Sequence, residues 1–145
     1  MKLNDLIAIL QMAIGPVILI SGVGLLLLSM TNRLGRVIDR SRILSEARQK
    51  TAGQPQGHLL SQLGILQRRA RLIRLSIGLA TFSLLMAAIL VIALFLAALF
   101  QLEIGLAVAC SFVVCMGSLV GSLVVFLRDI NLALEALKLD IEGRE

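Results

Sequence analysis

The stretch Ser29-Met-Thr-Asn-Arg-Leu-Gly-Arg-Val-Ile-Asp-Arg-Ser-Arg42 joins an uncharged run, Leu6 to Thr31, to a strongly charged one, with no evident helix stop between them. An apolar helix therefore leaves the bilayer here and continues as a charged helix in water. Ten of the fourteen Lys and Arg fall between Arg33 and Arg74. Everything else in the chain is read outward from this transition.

Two further runs, Ser76 to Gln101 and Ile104 to Leu127, also contain no Asp, Glu, Lys, Arg or His. The 145 residues are 58% hydrophobic and have a mean hydropathy of +0.95. About 20 apolar residues at 1.5 Å each cross a hydrocarbon core of about 30 Å, so each run is long enough to span it. The first run lacks the cleavage pattern of a secretory leader and reads as a retained span. The expected fold is an all-α membrane protein with three transmembrane helices and a long cytoplasmic helical hairpin between the first and second.

Orientation follows from the basic residues. The segment after the first span carries ten of them against Asp39 and Glu46, while Gln101-Leu-Glu103 between the later spans carries none. The positive-inside rule places the basic segment in the cytoplasm, the N-terminus outside and the C-terminus inside, in a multi-pass protein of the inner membrane. The basic charge is thereby a topology signal. The segment has no Phe, Tyr or Trp, so no stacking platform for nucleic acid is expected.

Five segments result. Residues 1–31 form an N-terminal segment and first span with a kink at Pro16, whose missing N–H frees the carbonyl at Met12. The alternative is an interfacial helix that ends there, with Pro16 opening the true span; the shortness of Pro16 to Thr31 favours the kink. Residues 32–75 form the basic hairpin, with its turn near 51–57 at Thr-Ala-Gly-Gln-Pro-Gln-Gly. Residues 76–101 and 104–127 are the second and third spans, and 128–145 is a cytoplasmic amphipathic helix.

Both hairpin arms carry helical stripes. Leu34, Val37 and Leu44 share a face on the first, and Leu59, Leu63, Leu66, Ala70, Ile73 and Ile77 alternate at four and three on the second, the coiled-coil spacing. The spacings Arg36/Asp39, Asp39/Arg42, Arg42/Glu46 and Glu46/Lys50 permit surface ion pairs. In the tail, Ile130, Leu134, Leu137 and Ile141 form a stripe expected to dock on the hairpin.

The candidate site residues are polar or small rather than catalytic. Asn32, Arg33, Arg36, Asp39 and Arg40 are expected to meet lipid phosphate or, for Arg33 or Arg36, to pair across to Asp129 past the end of the third span. Ser111, Cys115, Ser118 and Ser122 form one polar stripe, read as helix packing or as a pore lining. Gly15, Gly22, Gly117 and Gly121 are candidate close-packing glycines, the last two in a GxxxG pattern. Cys110 and Cys115 lie about 140° apart on a helix, which excludes a bond between them. His58 has no ligand-type residue at metal spacing, Glu103 is read as a loop carboxylate or, in an oligomeric channel, as a cation-attracting ring at its mouth, and no nucleotide, zinc or nucleophile motif occurs. No enzyme, metal or cofactor is expected.

The residues Gln11, Pro16, Ser21-Gly22, Gly24-Leu-Leu-Leu-Leu28, Asn32-Arg33-Leu34 and Arg36-Val-Ile-Asp39-Arg40-Ser-Arg42 resemble the domain-of-unknown-function family 2721 of small bacterial membrane proteins. The resemblance implies a bacterial, multi-span membrane protein and brings no activity or ligand residue with it. The functional expectation is a non-enzymatic, homo-oligomeric scaffold that presents the basic hairpin to membrane lipids, anionic ones included, or to a protein partner. The alternatives are an oligomeric channel lined by the third helix and a subunit of a larger complex.

Overall fold

The computed structural model describes residues 3–50 and 57–142. They form three helices: α1 (Leu3–Lys50), α2 (Gly57–Phe100) and α3 (Gly105–Glu142). No strand occurs among the described residues, and each helix contains a window long and apolar enough to cross a membrane. The protein is an all-helical, multi-pass membrane protein. The turn expected near 51–57 lies, apart from Gly57, outside the described residues.

The charged helix is continuous with the apolar one. α1 runs through Pro16 and through the Thr31–Arg33 transition to Lys50 without interruption, and α2 runs from the arginine-rich stretch into the second apolar run. α2 ends at Phe100, and Gln101 after it takes a left-handed backbone with φ 53°. The Leu102 N–H donates to the Ala97 carbonyl at 3.0 Å, the six-to-one bond of a Schellman cap. α3 then begins, its first bond running from the Val108 N–H to the Ile104 carbonyl.

Contacts divide the chain into two compact units, residues 1–28 with 78–122 and residues 29–77 with 123–145. Their buried residues differ in size. In the first unit the buried positions are mostly small, Ala13, Ala80, Ser83, Ala87, Cys115 and Ser122, while Leu25, Ile18, Val113 and Leu106 face outward. Small side chains let helix backbones approach closely where lipid supplies no hydrophobic drive, and large aliphatic ones are left for the acyl chains. In the second unit larger side chains are among the buried ones: Val37, Leu66 and Ile73 form a core, with Leu34, Leu44, Ala70 and Ile77 packed against it, while Ile38, Ile43, Leu60 and Leu75 stay exposed. Arg36, Arg42, Arg68, Arg71 and Arg74 are exposed. All three helices look apolar by composition, so the expected cytoplasmic hairpin between the first and second spans does not follow from the fold.

The tail turns a different face inward from the one its leucines suggest. Leu134 and Leu137 remain 58% and 57% exposed, and Asp129, Leu132, Ala133 and Ala136 form the less exposed side. The physical reason is helical phase. Cys115, Ser122 and Asp129 are buried at steps of seven residues, and continuing that phase brings Ala136, not Leu134, to the inner face. The Ile141 side chain lies outside the described residues.

Candidate functional site

The seams of the second unit bring one acid and two bases together. Arg33 lies three residues after buried Met30 and four before buried Val37; Arg69 lies three after buried Leu66 and four before buried Ile73. Each therefore flanks an inward seam, while Asp129 occupies one. The Asp129 side chain has no exposed area. Its Oδ1 accepts a hydrogen bond from Arg69 Nε at 3.2 Å, and its Oδ2 lies 3.9 Å from Arg33 Nε. That second oxygen has no hydrogen-bond partner among the described residues. The Arg33 guanidinium also sits 5.4 Å from the centroid of the Phe126 ring, within cation–π range.

This node ties all three helices to one carboxylate. A buried carboxylate is tolerable only with paired positive charge. Two guanidinium groups on one carboxylate leave one positive charge in excess. Chemically the node is a clamp with spare cationic capacity and carries no nucleophile.

Of the other charged candidates, Asn32, Arg36, Asp39 and Arg40 are exposed, so Arg33 rather than Arg36 reaches Asp129. Among the described residues Arg36, Asp39, Arg42 and Glu46 form no ion pairs with one another. Water competes effectively for such exposed groups, and the surface pairs permitted by spacing gain too little to hold long side chains in place. Arg69 is the partner that sequence reasoning missed. It is one of the arginines Arg68, Arg69, Arg71 and Arg74, but the only one of them that is not exposed.

The polar stripe of α3 is engaged inside the first unit. Ser83 Oγ donates to the Cys115 carbonyl at 2.9 Å, and Cys115 Sγ donates back to the Ser83 carbonyl at 3.2 Å. Ser118 Oγ donates to the Leu79 carbonyl at 2.8 Å. Cys115 and Ser122 are buried, and Ser111 bonds back to the Ala107 carbonyl of its own helix. The stripe is a clasp between α2 and α3. In the second unit Ser76 Oγ contacts Met30 Sδ at 3.5 Å, a weaker contact of the same kind between α1 and α2.

The glycines behave unequally. A Cβ at Gly121 would meet Leu79 Cδ1 at 3.7 Å, whereas at Gly15, Gly22 and Gly117 it would meet nothing within 4 Å. Only Gly121 accommodates a neighbour within this chain, and the expectation of close packing does not hold inside the chain for the other three. Their faces are exposed because the inward seams lie at Ala13, Val23 and Cys115. Glu103 is exposed in the connection between α2 and α3, and the His58 side chain lies outside the described residues.

Residues 13–139 match the family described as Protein of unknown function (DUF2721). That span includes Arg33, Arg69 and Asp129, and both partners of the Ser83–Cys115 clasp. No curated protein and no solved structure matches the chain.

Proposed function

From the premise that this chain belongs to the DUF2721 family of proteins of unknown function, we propose that it is a non-enzymatic membrane scaffold. It presents residues 32–75 as a basic cytoplasmic hairpin, N-terminus outside and C-terminus inside, in a bacterial inner membrane. The observation that carries this reading is a difference between the two units: mostly small residues are buried in one, while the other combines a Val37, Leu66 and Ile73 core with exposed Arg36, Arg42, Arg68, Arg71 and Arg74. The first pattern suits acyl chains and the second suits water. Exposed arginines beside an anionic leaflet attract it by about 1 kcal/mol per charge, which supports lipid as one partner.

A protein partner is supported by Ile43, Leu134 and Leu137, which remain more than half exposed in the unit assigned to water. Association of copies is supported by the open faces at Gly15, Gly22 and Gly117, where nothing in the chain takes the space a side chain would fill. The channel alternative draws no support from Cys115 or Ser122, whose side chains are enclosed by the chain's own helices.

The test labels single cysteines with a membrane-impermeant maleimide in intact and in permeabilised cells, using a Cys110→Ala background. Leu102→Cys should label from outside and Ser45→Cys only after permeabilisation. Labelling of Ser45→Cys in intact cells overturns the topology and with it the scaffold. The mass of the protein in nanodiscs then reads stoichiometry, and a monomer at all concentrations removes the oligomer from the proposal.

A further inference from the structure

Beside the Asp129 node, within the second unit, a half-open cleft of about 360 Å³ is bordered by α1, α2 and α3. Arg40, Ser61, Gln62 and Arg69 supply its polar lining, and Leu44, Leu66 and Leu137 much of its apolar lining. No carboxylate lines it among the described residues. Its volume lies in the range of small-molecule sites, about 300–1,000 Å³.

Charge identifies the kind of ligand. Arg40 has no ion pair among the described residues, and Arg69 shares the Asp129 carboxylate with Arg33. Arg40 and Arg69 both line the cleft, and Arg33, Arg40 and Arg69 against Asp129 leave two positive charges uncompensated in and beside it. A carboxylate would bring one charge and two oxygens, enough for one guanidinium fork. A phosphate monoester brings about −1.5 to −2 charge and three acceptor oxygens. That matches two guanidinium groups with the Gln62 amide as a further donor. The lining residues Leu44, Leu66 and Leu137 give no partner to a polar body and suit an alkyl chain.

We propose that this cleft binds a phosphate monoester carrying an alkyl or acyl chain, with the phosphate on Arg40 and Arg69 and the chain against Leu44, Leu66 and Leu137. Such a ligand can come from the bilayer, as phosphatidic acid, or from solution, as a single-chain phosphate. The inference stands apart from stoichiometry and from the scaffold reading, and its test uses neither.

The experiment adds dodecyl phosphate to the full-length protein in maltoside micelles and counts retained adducts by native mass spectrometry. One adduct per chain is expected for the wild type. Arg40→Gln, which removes a charge-assisted contact, and Ala136→Trp, which fills the cleft, should each lower its affinity at least about tenfold. Neither inorganic phosphate nor dodecanol should be retained. Protection of Cys115 from maleimide, far along α3, verifies that each variant is folded. Equal adducts in all three proteins, no adduct at all, or retention of inorganic phosphate as readily as the ester would each overturn the proposal. In nanodiscs, slower maleimide labelling of Ser61→Cys with phosphatidic acid than with phosphatidylcholine assigns the ligand to the bilayer. Slowing only on addition of dodecyl phosphate assigns it to solution.

Discussion

Arg69 donates its Nε hydrogen to Asp129 Oδ1 at 3.2 Å across sixty residues of sequence, and the two side chains differ in what they can do when parted. Arg69 keeps 18% of its side-chain area in contact with solvent, whereas Asp129 keeps none. An arginine left alone can turn outward; the carboxylate cannot.

The consequence is an unequal mutant series. Arg69→Gln strands a buried carboxylate with only the more distant Arg33, and should cost about 3 kcal/mol, the lower part of the range for breaking a buried pair. Asp129→Asn frees both arginines toward water and should cost less, about 1–2 kcal/mol. Arg33→Gln, which removes an ion pair at 3.9 Å without a hydrogen bond, should cost at most about 1 kcal/mol. Unfolding midpoints in mixed micelles measure all three. An additive Arg69→Gln/Asp129→Asn double variant would show that the pair is not coupled.

The reciprocal bonds between Ser83 and Cys115 give a second series. Cross-helix hydrogen bonds at membrane depth average about 0.6 kcal/mol, so Ser83→Ala, which removes the hydroxyl's bond to α3, should cost about 0.5–1.5 kcal/mol. Ser111→Ala should be near neutral, because its hydroxyl bonds only to its own helix. The thiols should differ in the same sense: Cys110 is exposed and Cys115 buried, so a permeant maleimide should modify Cys110 in the folded protein and Cys115 only on unfolding. Equal labelling rates would contradict the clasp.

The three helices were legible because charge-free runs of that length have few other physical uses, and a pairing of Arg33 or Arg36 with Asp129 was legible from their matching positions past two span ends, without a choice between the two arginines. Arg69 was not, although its signal was present: it lies between Leu66 and Ile73 on a seam that the leucines already traced. Reading Arg68 to Arg74 as one topology signal hid the member whose helical phase points inward. The tail was misread for a related reason. Leu134 and Leu137 lie on the apolar stripe of the tail, but phase along α3 follows the small residues buried upstream, Cys115 and Ser122, and encloses Asp129, leaving Ile130 alone among the described residues of that stripe half-buried. For the glycines, sequence does not separate a face contacted within the chain, as at Gly121, from an open one, as at Gly22.

Gln101 holds a left-handed conformation at the position of a Schellman cap where glycine is usual, and a residue with a Cβ there carries a steric cost of about 1–2 kcal/mol. Gln101→Gly should relieve part of it and raise stability by about 0.5–1 kcal/mol, since the added freedom of the unfolded chain offsets the rest. Gln101→Val should destabilise by at least as much. An unfolding midpoint that moves the other way for the glycine variant would mean that the α2 cap is not formed as described.

Gly22 and Gly121 separate contacts made within one chain from contacts made between chains. At Gly121 a methyl meets Leu79 at ordinary van der Waals distance, so Gly121→Ala should be tolerated, while Gly121→Leu should overpack α2 against α3 and cost about 1–3 kcal/mol. At Gly22 nothing lies within 4 Å, so within the chain Gly22→Leu should be neutral or slightly stabilising through helix propensity, by at most about 1 kcal/mol. If copies of the chain meet on that face, Gly22→Leu should shift the oligomer distribution in nanodiscs toward smaller species while the unfolding midpoint of the isolated monomer stays put. A distribution identical to wild type would remove this face from any interface, and loss of monomer stability would show that the space beside Gly22 is already filled by the chain itself.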